Sequence, residues 1–111
     1  MKWLEKLLSG KNPKSKRYRA TMAAELHGQA IRYVTERNGD TDEIVGRGGA
    51  ISVRDGELFL FSSEEILLRA RVEDLEAGYL LSGDGVVLTA PNIEEKGKKR
   101  SLVAYFVYYR M

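Results

Sequence analysis

From Gln29 onward the chain abandons helical spacing: apolar and β-branched residues recur at every second position, and short runs of them are separated by glycine-containing turn signals. The clearest case is Asp55-Gly56, which divides two alternating runs, 50–54 and 57–61. A two-residue hairpin turn needs positive φ at both central positions, and Asp and Gly accept that conformation at low cost. Period-two alternation is the strongest constraint on the fold. It gives each strand one face that must be covered, and a chain of 111 residues has room for one core in which to cover it.

The same reading applied along the chain predicts strands at 29–37, with Ile31, Tyr33 and Thr35 on one face, and at 50–54 and 57–61. Further strands are predicted at 66–72, 79–82 and 86–90, the last two paired about Gly83-Asp84-Gly85, and at 102–109. Residues 38–43 and 91–99 read as polar loops, and Glu73-Asp74-Leu75 as a turn. The final run is apolar at both parities, which places it centrally, because a strand with one wet face needs apolar residues at only one. Before the strands, Tyr18, Met22 and Leu26 at i, i+4, i+8 among alanines predict a short helix ended near Gly28. The expected architecture is mainly β with one or two short N-terminal helices, a small antiparallel barrel or roll of about seven strands.

Charge divides the chain in two. Residues 1–20 carry seven basic side chains and only Glu5, a local charge of +6, whereas the remainder sums to −4. Residues 1–17 therefore read as a basic arm and linker, and 18–111 as a single β-rich domain. Within the arm, Trp3, Leu4, Leu7 and Leu8 fall on one helical face and Lys2 and Lys6 towards the other. Gly10 and Pro13 would stop such a helix, and a bilayer span needs roughly 20 apolar residues, far more than this segment has. The pattern suits an interfacial foot on an anionic membrane or a docking peptide for a protein partner. It equally suits packing back onto the domain or across a dimer.

The chemistry available to the chain is narrow. With no cysteine, thiol catalysis, disulfides and cysteine-ligated metals are excluded, and nothing points to an oxidising compartment. The expected location is cytoplasmic, with attachment at a membrane periphery through the arm. His27 is the single histidine and sits at the predicted helix end, where a capping role outweighs a catalytic one. Gly46-Arg47-Gly48-Gly49 lacks the ending of a phosphate-binding loop and precedes a strand, so it reads as a sharp bend or bulge. Asn38, Asp40 and Asp42 start like a calcium loop, but Glu43 and Gly49 stand where Gly and a bidentate Glu are required. The carboxylate pairs Glu64-Glu65, Glu73-Asp74 and Glu94-Glu95 sit at turns and need not converge.

The basic run Lys96, Lys98, Lys99 and Arg100, followed by Tyr105, Phe106, Tyr108 and Tyr109, is a candidate anion contact. Cationic loops beside sheet-face aromatics are how small barrels hold single-stranded nucleic acid, and this is the alternative reading. The leading expectation is a non-enzymatic binding or adaptor domain that contacts a protein partner or membrane surface through its arm, with no metal and no cofactor. A third possibility, an enzyme, requires a deep polar pocket that gathers carboxylates and His27. The residues leave a homo-oligomer through 105–109 open.

The stretches Gly46-Arg47-Gly48-Gly49, 80–88 and 104–110 resemble a family of small, functionally uncharacterised bacterial proteins of clostridia and their relatives, over about residues 18–110. That resemblance implies a β-rich fold and brings no catalytic or ligand residue. The number and order of strands are also similar to the seven-stranded rolls of pleckstrin-homology-like domains. In those the capping helix follows the last strand, whereas here the helical pattern comes first, so no phosphoinositide site is carried over.

Overall fold

Ser15 opens the only helix among the described residues. Its hydroxyl accepts the Tyr18 N–H at 3.1 Å, satisfying one of the donors that a helix start leaves unpaired. Helix α1 runs Lys16–Leu26 and buries Tyr18, Met22, Ala23 and Leu26, the stripe that the i, i+4, i+8 spacing predicts. The His27 N–H closes the last turn on the Ala23 carbonyl. The computed structural model describes residues 15–38 and 40–107; the expected arm at 1–14, together with Tyr108 and Tyr109, lies outside them.

Eight strands follow: β1 (Ile31–Asn38), β2 (Thr41–Arg47), β3 (Ala50–Arg54), β4 (Glu57–Ser62), β5 (Glu65–Arg71), β6 (Glu76–Tyr79), β7 (Gly85–Asn92) and β8 (Lys98–Phe106). They form two antiparallel sheets, five strands in the order β2-β1-β8-β7-β6 and three in the order β3-β4-β5. The fold is thus mainly β with a helix, as the alternation implies. The expected barrel does not close into one hydrogen-bonded sheet, and β2 is a strand where a polar loop was expected. Asn38 pairs directly with Thr41, so the chain turns back at once instead of wandering to Glu43.

Strand β8 lies at the centre of the larger sheet, which accounts for its apolar residues at both parities. Its inner residues Leu102 and Ala104 join Val34, Val86, Leu88 and Ala90 against Ile51, Leu58, Leu60, Leu68 and Ala70 of the smaller sheet. Helix α1 closes one opening of this core through Tyr18, Met22 and Leu26. The Tyr18 hydroxyl donates to the Ala77 carbonyl at 2.8 Å, and Arg19 donates to the carbonyls of Leu75 and Glu73. Those bonds fix the start of the helix beside β6 and the 3-10 turn Val72–Asp74.

The two sheets meet along two seams of different construction. At one, the backbone itself crosses over. Gly28 N–H donates to the Ile51 carbonyl at 2.8 Å and Ile31 N–H to the Gly49 carbonyl at 2.9 Å, so the beginning of β1 touches β3 just past its pairing with β2. The bend between β2 and β3 falls at Gly48-Gly49, as the glycine run suggests. A Cβ at Gly49 would stand 1.9 Å from the Phe61 carbonyl oxygen, and its φ of +138° lies where side chains are rare.

Several boundaries differ from the sequence reading. A register shift between Ile31 and Tyr33 places Ile31 in the core with Val34, while Tyr33 goes to the opposite face. The strand expected at 79–82 forms earlier, at Glu76–Tyr79. Both ends of the expected loop at 91–99 are strand: β7 continues through Pro91 to Asn92, and β8 begins at Lys98. Proline is tolerated there because β6 pairs only with Val86–Thr89, leaving that flank of β7 without a strand that needs its N–H. Asp55 and Gly56 take φ of 52° and 77°, the hairpin conformation that their pairing predicts.

Candidate functional site

The second seam is made by side chains, and Asn92 is its centre. Asn92 is 1% exposed. Its Oδ1 accepts the Arg69 N–H at 3.0 Å and the Glu94 N–H at 3.2 Å, and its Nδ2 donates to Glu95 Oε1 at 2.7 Å and to the Leu67 carbonyl at 3.3 Å. The edge of β5 is therefore paired by a side chain where a neighbouring strand would otherwise be required. Arg100 reinforces the seam. Its Nη1 donates to the same Leu67 carbonyl at 3.1 Å, while Nε and Nη2 grip both oxygens of Glu36 at 2.8 and 2.6 Å. This bidentate pair is largely shielded, with side chains 17% and 30% exposed, and the Arg100 hydrogen bond holds the Glu36 carboxyl below the usual glutamate range. Arg69 ties Glu57 and Glu94 together on the outer side of the same seam.

The candidate anion contacts do not all lie on one face. Lys96 adopts φ 57° in the turn after the 3-10 segment Ile93–Glu95 and is exposed. Strand alternation sends Lys98 and Arg100 towards the seam and Lys99 to the opposite face with Ser101, which bonds Thr89 at 2.9 Å. Arg100 is already committed to Glu36, Glu95 and the Leu67 carbonyl, so the run offers exposed lysines without its arginine. Glu94 and Glu95 likewise serve as ion-pair partners of Arg69 and Arg100. His27 accepts the Val53 N–H at 2.8 Å through Nδ1, which ties the end of α1 to β3. A groove of about 530 Å³ beside α1, lined by Lys16, Arg19, Asp55, Glu57, Arg71 and Glu73, does not include His27.

On its outer face the five-stranded sheet carries an ordered pattern. Ile44, Thr35, Val103, Val87 and Gly78 stand in register across β2, β1, β8, β7 and β6, forming one row over the full width of the sheet. Beside it lies the Tyr33–Tyr105 pair, with ring centroids 4.6 Å apart and the Arg32 guanidinium 5.0 Å from the Tyr33 ring. On the other side are polar residues: Arg37 with Asp42 at 3.1 Å, Thr89 with Ser101, and Glu76. Ile44 is 46% exposed, whereas Thr35 is only 8% exposed and Gly78, on the edge strand, is buried. This band was not recognised in the sequence, because its residues come from five strands and only cross-strand register aligns them.

The remaining candidates Lys2, Trp3, Leu4, Lys6, Leu7 and Leu8 lie outside the described residues. What the structure does give is the root of their segment. Ser15 caps α1, and the next two residues, Lys16 and Arg17, are exposed and make no ion pair among the described residues. By contrast Arg37, Arg69, Arg71 and Arg100 are each paired with a carboxylate. Among the described residues no helix is long and apolar enough to cross a membrane. No family model, curated protein or solved structure matches the chain.

Proposed function

We propose that this chain is a small, roll-like, non-enzymatic attachment domain that binds an anionic membrane surface through its basic N-terminal arm. The observation that carries the reading is the placement of unpaired charge. Arg37, Arg69, Arg71 and Arg100 of the β-strands are each paired with a carboxylate, whereas Lys16 and Arg17 at the root of the arm are exposed and belong to the segment 1–20 of local charge +6. Cations near an anionic bilayer each contribute about 1 kcal/mol, and an apolar face with a tryptophan adds interfacial burial. Trp3, Leu4, Leu7 and Leu8 would supply that burial, with Lys2 and Lys6 at headgroup level. Such a domain would work at the cytoplasmic face of a membrane.

Co-sedimentation with vesicles tests this. The full chain is expected to pellet with vesicles containing anionic lipid and to stay in the supernatant with zwitterionic ones. A chain beginning at Ser15, which keeps the helix cap, is expected to remain in the supernatant with both while retaining its β-sheet circular dichroism. Equal sedimentation of the two chains would refute the role of the arm; no sedimentation of either would favour a protein partner instead.

A further inference from the structure

We infer that the free edge of β2 is the docking site for an extended segment of another protein, one that alternates basic and apolar residues and joins the larger sheet as an added strand. Of the four sheet edges, three are closed from within. The Tyr18 hydroxyl of α1 closes β6 at the Ala77 carbonyl, and Asn92 and Arg100 close β5 at Arg69 and Leu67. Strand β3 is closed by the segment before β1: Gly28 N–H donates to the Ile51 carbonyl, Ile51 N–H to the Gln29 carbonyl and Val53 N–H to His27. No described element closes β2 over its first four residues. Its principal neighbour is β1, and Thr41, Asp42, Glu43 and Ile44 are all exposed. An unclosed edge is a template for a further strand.

Register identifies the groups on offer. Asn38 and Thr41 flank a two-residue turn, where the flanking pair exchanges its hydrogen bonds, and bonded and non-bonded pairs alternate from there. Thr41 and Glu43 thus face β1, while the N–H and C=O groups of Asp42 and Ile44 point to the free flank. Past the register shift the phase is the same: Gly48 N–H donates to the Arg32 carbonyl, and the Arg47 carbonyl, turned outward, accepts the Ser62 hydroxyl at 3.4 Å and ends the open stretch.

The surroundings select the occupant. The turn between β4 and β5 lies under the inner side of β2, where a Cβ at Gly46 would stand 2.3 Å from Ser62 Oγ. Between them runs a groove of about 640 Å³ lined by Glu64 and Glu65, both exposed and without an ion pair among the described residues, with Arg47 at its far end. On the outer side the edge presents Ile44, the exposed end of the apolar row. Side chains of an added strand alternate between these two sides, so basic residues at one parity meet carboxylates and apolar residues at the other extend the row. A second copy is a poorer fit, because antiparallel self-pairing over residues 41–44 sets Asp42 and Glu43 against the same two carboxylates. The site lies on the sheet and not on the arm, so the inference does not rest on membrane attachment.

Calorimetric titration of the full chain, in lipid-free buffer, with a short capped peptide of alternating Lys and Val tests this. Binding that weakens with salt is expected, and binding at least about tenfold weaker for a Glu-Val peptide and for a Lys-Pro peptide, which keeps the charge but cannot pair as a strand. Ile44→Pro removes an outward N–H without taking a bond from β1, and is expected to lower affinity at least about tenfold while circular dichroism and vesicle sedimentation stay unchanged. Ile44→Ala keeps that N–H and is expected to retain most of the binding. Glu64→Gln/Glu65→Gln should weaken binding a few-fold and flatten its salt dependence. No binding of the Lys-Val peptide overturns the inference, as does equal binding of the Lys-Val and Lys-Pro peptides, which reduces the contact to charge; the peptide comparison decides even if Ile44→Pro fails to fold. Peptide binding that splits a dimer would assign the edge to a second copy and overturn it too. Loss of vesicle binding with peptide binding intact sinks only the membrane reading.

Discussion

Asn92 performs at one position what a strand performs along a whole edge: it supplies an acceptor to Arg69 N–H and a donor to the Leu67 carbonyl. Asn92→Ala takes the acceptor from the Arg69 and Glu94 N–H groups and leaves the Leu67 carbonyl to Arg100 alone, with an expected loss of about 2–4 kcal/mol in urea unfolding. Nothing local in the sequence marks Asn92 for this, since it sits in what reads as a polar loop after Pro91. The Arg100–Glu36 pair is equally illegible, because its members are 64 positions apart and meet only through register. Its pH dependence has a definite sign. A native carboxyl held below its unfolded value contributes stability that is complete above the ordinary glutamate range and is lost as pH falls through the lower native value. Urea midpoints measured down through that window should fall for the native chain, and Glu36→Gln should flatten the decline while lowering the neutral-pH midpoint.

At the scale of elements, the bend at Gly48-Gly49 decides whether β2 and β3 serve different sheets. Gly49→Ala drives a methyl group into the Phe61 carbonyl at a backbone angle that alanine avoids, so at least 2–3 kcal/mol of destabilisation, roughly, is expected from thermal melts. The glycine run, the Asp55-Gly56 hairpin and the helix stripe Tyr18, Met22, Leu26 were all legible, because each depends on local conformation or on spacing within one element. Strand β2 was not. Its residues are mostly exposed at the sheet edge, and polar Thr41, Asp42 and Glu43 carry no alternation to read. The helix also brings two phenols close to Glu25. Tyr79 donates to Glu25 at 2.8 Å, and burial is the larger cause that pushes its pKa well above the ordinary phenol value, so its contribution holds below that value and is lost at more alkaline pH. Tyr79→Phe should therefore weaken the alkaline decline in stability.

For the whole molecule, a net charge of +2 conceals +6 on residues 1–20 beside −4 on the remainder, and the structure adds that Arg37, Arg69, Arg71 and Arg100 are internally paired. The division itself was plain in the sequence; those four ion pairs, and the exposure of Lys16 and Arg17 at the arm's root, were not. Binding driven by that charge must weaken with salt. Removing two cations in a Lys2→Gln/Lys6→Gln variant should weaken partitioning onto anionic vesicles about 30-fold at low salt, on about 1 kcal/mol for each charge. The most direct measurement of arm-mediated attachment is quenching of Trp3 by lipids brominated in their acyl chains. Strong quenching in anionic vesicles that disappears in zwitterionic vesicles or at high salt is the expected result; Trp3 left unquenched by anionic vesicles that have pelleted the protein would contradict it.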